Sequence, residues 1–309
     1  MATREAAATQ PLRLRASRRR WGEDVVKVAL ALSALVSVAT TIGIVVALFE
    51  PAIEFFREVS IVDFLTGTEW APLFEPSSFG VLPLVAGTLL VTACACLVCV
   101  PFGLGAAIYL SEYARSRTRK ILKPALEVLA GVPTVVYGYF ALTLVGPLLK
   151  SLGLLDTPAS ALSAGLVMGV MLLPTVASIS EDAMSAVPRD LRDGAYALGS
   201  TRLQVATKIV VPAAISGIIA SFVLAISRAV GETMIVLIAA GGQPNLTWNP
   251  LEAVQTMTAF VAATGQGDVP TGSIEYKTIF AVGATLFVMA LAMNLVAIRL
   301  VRRYREVYE

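Results

Sequence analysis

Long apolar runs recur along the 309-residue chain and are separated by shorter polar segments. A helix needs about 20 apolar residues to cross the hydrocarbon core of a bilayer. The runs of sufficient length lie at 28–48, 81–110, 128–149, 159–179, 213–241 and 279–298. The pattern therefore predicts an all-α integral membrane protein with six transmembrane helices.

Composition agrees with this prediction and excludes several kinds of chemistry. Apolar residues make up 56% of the chain and charged residues 15%, whereas an ordinary soluble domain carries roughly a quarter charged residues. The sequence contains no histidine, which excludes Ser-His-Asp and Cys-His catalysis and histidine metal sites. Cys94, Cys96 and Cys99 share one apolar run and are interpreted as small packing residues. We therefore expect no cofactor and no metal.

The basic residues are distributed unevenly between the predicted connections. Of the 24 lysines and arginines, seven precede the first span, five lie in 111–127, four in 180–212 and four after the sixth span. On the other side lie only Arg57, Lys150 and Lys277. Because cytoplasmic segments collect positive charge, both termini are predicted to be cytoplasmic.

Charge and hydropathy together divide the chain into three regions. Residues 1–24 form a basic cytoplasmic arm, residues 25–305 a single transmembrane domain that includes the cytoplasmic loop 180–212, and residues 306–309 a short tail. We expect the basic arm to fix the membrane topology and not to bind nucleic acid.

The loop 180–212 carries the signals of two short helices joined by a turn. Pro188 is suited to the first position of a helix, and Gly199 lies where a C-terminal cap is expected. Thr201 and Gln204 have the spacing of a capping box and would open the second helix. The first helix would carry an apolar stripe at i, i+4 and i+7. The stripe consists of Leu191, Ala195 and Leu198.

A specific spacing in this loop goes beyond an ordinary connector at the membrane surface. Asp193-Gly194-Ala195 is followed after three residues by Gly199 and, nine residues later, by Ile209-x-Val211-Pro212. The pattern resembles the EAA loop of ABC-importer permeases, with Asp-Gly in place of Glu-Ala and Val-Pro in place of Leu-Pro. The resemblance implies a coupling helix that docks onto a cytoplasmic ATPase. The residues implied in that coupling are Asp193, Gly194, Ala195, Leu198, Gly199, Ile209 and Pro212.

Two charged residues lie inside the fifth predicted span, where ionisable groups are costly and mark functional candidates. Arg228 and Glu232 are four residues apart, so on a continuous helix they would share a face and could form an ion pair. One interpretation is a neutralised pair with no further role. The other is that Arg228 presents its planar donors to an oxyanion, while Glu232 holds the side chain and weakens binding enough for release.

The stretch around this pair is similar to the permease subunits of the phosphate ABC importer. Three further stretches share the likeness, and the two upstream ones point to the PstC type of subunit. The similar stretches are 64–72 (FLTGTEWAP), 79–89 (FGVLPLVAGTL), 130–138 (AGVPTVVYG) and 228–234 (RAVGETM). The resemblance implies the type I ABC importer (MetI-like) permease fold. It also implies a substrate pathway that includes Ser227, Arg228, Glu232 and Thr233.

The same resemblance implies a heteromeric importer. The chain would pair with a PstA-type permease, sit on a dimer of PstB-type ATPases, and receive phosphate from a PstS-type extracytoplasmic binding protein. The sequence has no G-x-x-x-x-G-K-[ST] motif, so nucleotide hydrolysis is expected on the partner. The alternatives are a PstA-like permease, a permease for another oxyanion, a channel or carrier that works alone, and a membrane-embedded enzyme.

Three smaller features give packing predictions. Pro133, shortly after Gly131, should bend or break the third span. Gly165 and Gly169 have the G-x-x-x-G spacing that lets helices approach closely, and packing within the chain is favoured over a subunit interface. Asn294 is expected to make an interhelical hydrogen bond and not to bind substrate.

Overall fold

The computed structural model describes residues 21–303, and helices dominate this part of the chain. The helices are α1 (Trp21–Glu58), α2 (Ile61–Thr66), α3 (Leu82–Ile108), α4 (Ser116–Ala130), α5 (Thr134–Phe140), α6 (Gly146–Ser151), α7 (Ala161–Ser185), α8 (Arg189–Ala197), α9 (Arg202–Val205), α10 (Val211–Ala213), α11 (Ile215–Val230), α12 (Met234–Ala239), α13 (Met257–Gly265) and α14 (Ile274–Arg303). Single π-helical turns occupy Tyr109–Tyr113, Ala141–Val145 and Ala206–Val210. Strands β1 (Trp70–Ala71) and β2 (Ser78–Phe79) pair antiparallel.

The structure divides into two units, of which one ends at Ala47 and the other begins at Leu48. In the first unit, α1 exposes apolar side chains such as Leu30, Leu35 and Ile44. Such a surface suits hydrocarbon better than water. All further description concerns the second unit.

The predicted number of spans agrees with the structure. Four helices are long and apolar enough to cross a membrane, and the number reaches six if each of two bent helix pairs is one span. The bent pairs are 116–151, with an angle of 86° at the break, and 202–230, with an angle of 72°. The cytoplasmic placement of the termini and the three-region division of the chain stay predictions, and the tail 306–309 lies outside the described residues.

The third predicted span, 128–149, is not one helix. Helix α4 ends at Ala130 and α5 begins at Thr134, which confirms that Gly131 and Pro133 interrupt the segment. Proline has no N–H to donate and restricts the residue before it. The polar, cation-rich α4 therefore runs in a different direction from the apolar α5.

The fifth predicted span, 213–241, is expected from the sequence to be one continuous helix, and this expectation is wrong. Helix α11 ends at Val230, and α12 begins at Met234 after a break of three residues. Gly231 lies at the C-terminal end of α11 and Thr233 immediately before α12. Of the two charged residues of this span, Arg228 therefore lies on α11 and Glu232 in the break itself.

Helices α3 and α7 pack closely because glycines allow their backbones to approach. A Cβ added at Gly165 would lie 2.4 Å from the Cβ of Cys94, and one at Gly169 would lie 2.6 Å from the Cβ of Val98. The G-x-x-x-G pair thus packs within the chain, as predicted. Cys94 is a buried free thiol at this contact, in agreement with its interpretation as a packing residue.

Aromatic side chains fill a second core beside the short hairpin. Phe55, Phe64 and Phe260 are buried together with Trp70. The rings of Trp70 and Phe260 meet edge to face with centroids 4.9 Å apart, a favourable arrangement for aromatic quadrupoles. This core fastens the segment 61–80 to α13 and α14.

Candidate functional site

Arg228 lies in the last turn of α11, and its side chain is exposed. Its Nη1 donates to the hydroxyl of Thr175 on α7 at 3.5 Å. Within residues 21–303, Arg228 forms no ion pair with an acid. The predicted pairing with Glu232 is therefore wrong. An exposed guanidinium on a membrane-spanning helix keeps most of its donors available for a ligand.

Glu232 has a different partner from the one the sequence suggested. Its Oε1 accepts hydrogen bonds from the backbone N–H groups of Met234, at 3.1 Å, and Ile235, at 3.4 Å. These are orphan donors in the first turn of α12, and a carboxylate near a helix N-terminus is favourable. The Glu232 carbonyl accepts from the Thr258 hydroxyl at 2.6 Å. Glu232 is thus a buried cap that fixes the broken helix to the first turn of α13.

The other predicted pathway residues flank the break. Ser227 donates to Asn294 Oδ1 on α14 at 3.0 Å, so Asn294 makes the predicted interhelical hydrogen bond. Thr233 is half-buried, and its hydroxyl lies 3.4 Å from the carbonyl oxygen of Gly231. Beside Ser227, a cavity of about 630 Å³ opens between α11 and α14. It is lined by Ala220, Val223, Leu224, Ser227, Asn294, Ala297, Ile298, Val301 and Arg302.

The two interrupted spans lie side by side. Gly138 on α5 packs on α12, where an added Cβ would be 3.1 Å from the carbonyl oxygen of Met234 and 3.2 Å from the Cα of Ile235. The Tyr137 hydroxyl donates to the Leu129 carbonyl at 2.9 Å and so bridges the break between α4 and α5. Sequence reasoning named both residues only as part of a motif and gave them no structural role.

The loop 180–212 folds as helix, glycine turn and helix, as predicted. Helix α8 ends in a Schellman motif, in which the Gly199 N–H donates to the Tyr196 carbonyl and the Ser200 N–H to the Ala195 carbonyl. Gly199 has a φ of +82°, a conformation that glycine adopts without strain. Thr201 and Gln204 form the predicted capping box at the start of α9.

The apolar stripe of α8 is only partly buried within the chain. Ala195 packs inward, whereas Leu191 is 40% exposed and Leu198 89% exposed. The predicted first position is also corrected, because Pro188 precedes α8 as its N-cap. The remaining predicted coupling residues differ in exposure. Asp193, Gly194, Gly199 and Pro212 are exposed, and Ile209 is half-buried.

A network of charged side chains between α4 and α7 was not predicted from the sequence, where the basic residues served only to assign topology. Glu181, near the end of α7, is fully buried and accepts hydrogen bonds from Arg119, from Lys123 at 2.8 Å and from the Ser185 hydroxyl at 2.8 Å. Arg119 and Lys123 belong to α4, so this network ties α4 to α7. The sequence did hold a signal for this network. Glu181 lies just after the predicted span 159–179, on the same predicted side of the membrane as the cation-rich connection 111–127.

Comparison with known proteins identifies the class. The family described as "binding-protein-dependent transport system inner membrane component" matches residues 99–306. The chain belongs to this family, and it is an inner-membrane permease of the ABC-importer class. Such permeases are transport subunits and not enzymes.

Individual relatives refine the picture. The probable ABC transporter permease protein YqgH of Bacillus subtilis (strain 168) is 36% identical over 259 residues, which cover 83% of this chain and 84% of the relative. The phosphate transport system permease protein PstC of Mesorhizobium japonicum is 30% identical over 253 residues, or 76% of each chain. The structure of the MetNI methionine ABC transporter in inward-facing conformations matches with a TM-score of 0.55 at 17% identity, over 74% of this chain and 95% of that chain. This last likeness concerns the fold alone and confirms the MetI-like permease fold.

Proposed function

We propose that this chain is a PstC-type permease subunit of an ATP-driven phosphate importer and forms half of the translocation pathway. The observation that carries the proposal is Arg228, an exposed guanidinium at an interrupted membrane span with no acidic partner among residues 21–303. The similarity to a phosphate permease over 76% of the chain supports phosphate as the cargo. A PstA-type permease would supply the other half.

Guanidinium geometry suits a tetrahedral oxyanion. Arginine offers five N–H donors in a fixed fork, and two of them can bind two oxygens of one phosphate. Transport also requires that this binding stay weak enough for release. The hydroxyls of Ser227 and Thr233 flank the same break, and each would become a neutral donor to the cargo by leaving its present acceptor, Asn294 Oδ1 or the Gly231 carbonyl. Glu232 would act indirectly, by holding α12 in place.

The exposed surface of α8 supports the second part of the proposal. Leu198 exposes an apolar side chain beside the Schellman turn. Covering such a side chain with a partner removes apolar surface from water, which favours binding. A dimer of PstB-type ATPases is the proposed partner. A PstS-type binding protein would deliver phosphate on the opposite side of the membrane.

The decisive experiment measures phosphate uptake into proteoliposomes that contain both permeases, the ATPase and the binding protein. Replacing Arg228 by alanine removes two charge-assisted hydrogen bonds of about 1.5–3 kcal/mol each, so uptake should fall at least a hundredfold while the complex still co-purifies. Arg228→Lys should restore little, because the fork of donors is lost. Lys150→Ala, at an exposed cation on α6, is the matched control.

Two results would contradict the proposal. Wild-type uptake by the Arg228→Ala complex would show that this arginine has no part in transport. Failure of unlabelled phosphate to compete, together with strong competition by sulfate or molybdate, would assign the permease to another oxyanion.

A further inference from the structure

One side chain fastens the exposed helix α8 to the membrane-spanning helices. Arg192 donates from Nε and Nη2 to Glu112 Oε1, at 3.3 and 3.1 Å. Its Nη1 donates to the Val187 carbonyl at 2.6 Å, and its Nη2 to the Met184 carbonyl at 2.7 Å. We call these four hydrogen bonds the Arg192 clamp.

The Arg192 clamp is buried and joins three elements. The Arg192 side chain is 16% exposed and that of Glu112 is 5% exposed. Glu112 belongs to the π-helical turn Tyr109–Tyr113 that extends α3, and Met184 lies in the last turn of α7. The carbonyls at a helix C-terminus have no partner within the helix and attract cations. A single guanidinium therefore couples α8 to the C-terminal ends of α3 and α7, the two helices that pack most closely.

Helix α7 also reaches the candidate site. Thr175, the hydrogen-bond partner of Arg228, precedes Met184 by nine residues, or about 13 Å along the helix axis. Pro174 lies within α7 immediately before Thr175, and a proline inside a helix removes one backbone hydrogen bond and permits a bend. The segment from Thr175 to Ser185 is continuous helix, so it links the Arg192 clamp directly to the hydrogen-bond partner of Arg228.

We propose that Arg192 is a positioning residue that transmits movement of α8 to α7, and thereby to the contact between Thr175 and Arg228. The inference rests on the proposed function, in which α8 docks onto an ATPase and Arg228 contacts the cargo. When ATP drives a movement of α8, the Arg192 guanidinium moves with it and displaces the Met184 and Val187 carbonyls to which it donates. The 3.5 Å contact at Thr175 then lengthens or shortens, which changes the exposure of Arg228 to the cargo. A lysine would reproduce this connection only in part, because one nitrogen replaces the three guanidinium nitrogens that reach the acceptors from separate positions.

The first test compares ATP hydrolysis with phosphate uptake in proteoliposomes that contain the complete importer. Arg192→Gln should still capture the ATPase and hydrolyse ATP, but the phosphate moved per ATP should fall at least tenfold. The phosphate moved per ATP should fall less in Arg192→Lys. It should fall less again in Glu112→Gln, which keeps an acceptor oxygen but loses the charge. Lys120→Gln removes an exposed cation from α4 and should leave the ratio unchanged.

Two outcomes of this test would overturn the inference. An unchanged ratio in both Arg192 variants would show that the contacts only stabilise the fold. Loss of ATPase capture in parallel with transport, in the glutamine and the lysine variant alike, would assign Arg192 to docking instead of transmission.

A second test does not depend on the cargo. Thr175→Cys is introduced into a chain whose Cys94, Cys96 and Cys99 are replaced by alanine, and its labelling by a thiol reagent is measured with and without a non-hydrolysable ATP analogue. The labelling rate should change severalfold with nucleotide, and Arg192→Gln should abolish that change. No change in the parent, or a change that persists in Arg192→Gln, overturns the inference. If the wild-type complex moves no phosphate, the proposed function fails while this labelling still tests transmission.

Discussion

Replacing Glu232 distinguishes a helix cap from a counter-ion of Arg228. The carboxylate accepts two backbone N–H groups of α12 at 3.1 and 3.4 Å and is 8% exposed. Glu232→Gln keeps an acceptor oxygen and loses only the charge at the helix N-terminus, which corresponds to about 0.3–1 kcal/mol. Glu232→Ala also leaves the two N–H groups without an acceptor, and loss of a cap costs roughly 0.5–2 kcal/mol.

The assay is a double-mutant cycle on the thermal midpoint of the purified complex. If Glu232 is a cap, stability should decrease from wild type to Glu232→Gln to Glu232→Ala. The effects of Glu232→Gln and Arg228→Gln should then add to within about 0.5 kcal/mol, as for sites without a shared interaction. Glu127→Gln, which changes an exposed carboxylate on α4 in the same way, should leave the midpoint unchanged.

A counter-ion would give the opposite pattern. Removing one member of a desolvated ion pair leaves the other charge unpaired and costs several kcal/mol. The double variant would then be more stable than Glu232→Gln alone, with a coupling energy above about 1 kcal/mol. That result would refute the assignment of Glu232 as a cap and restore the ion pair inferred from spacing.

Two further predictions concern packing and docking. Gly165→Val should lower the thermal midpoint by the equivalent of about 1–3 kcal/mol, because even a Cβ there would lie 2.4 Å from the Cβ of Cys94. Gly105→Val, at a position with open space, is the control. Equal midpoints for the two variants would contradict close packing of α3 on α7. Leu198→Glu should reduce capture of the ATPase at least tenfold in co-purification without changing the midpoint, since the side chain is 89% exposed. Undiminished capture would exclude Leu198 from the docking surface.

Features governed by local sequence were predicted well. Span length depends on the number of consecutive apolar residues, and four of the six predicted runs correspond to a single long apolar helix. The turn at Gly199 and the capping box of Thr201 and Gln204 follow from backbone and side-chain chemistry within a few residues. The interruption at Gly131 and Pro133 is local for the same reason.

Features that depend on helix continuity or on distant contacts were not predicted. The i, i+4 rule holds only on an unbroken helix, so it failed where α11 stops at Val230 and the Glu232 carboxylate binds the N–H groups of α12 instead. Gly231 and the polar residues Glu232 and Thr233 after it were the local signal of a helix end, but the sequence analysis assigned the charged residues to an ion pair and a substrate pathway.

The amino-acid sequence by itself determined that this chain is an apolar, helical membrane protein and where the helix–turn–helix of the loop 180–212 lies, because hydropathy and capping act between neighbours in the chain. Only the tertiary structure decided which charges meet. Arg192 reaches Glu112 across 80 positions, and Arg228 reaches Thr175 across 53. Partners so far apart in the chain are chosen by the packing of helices, since a buried ionic or polar group must find its partner wherever the fold places one.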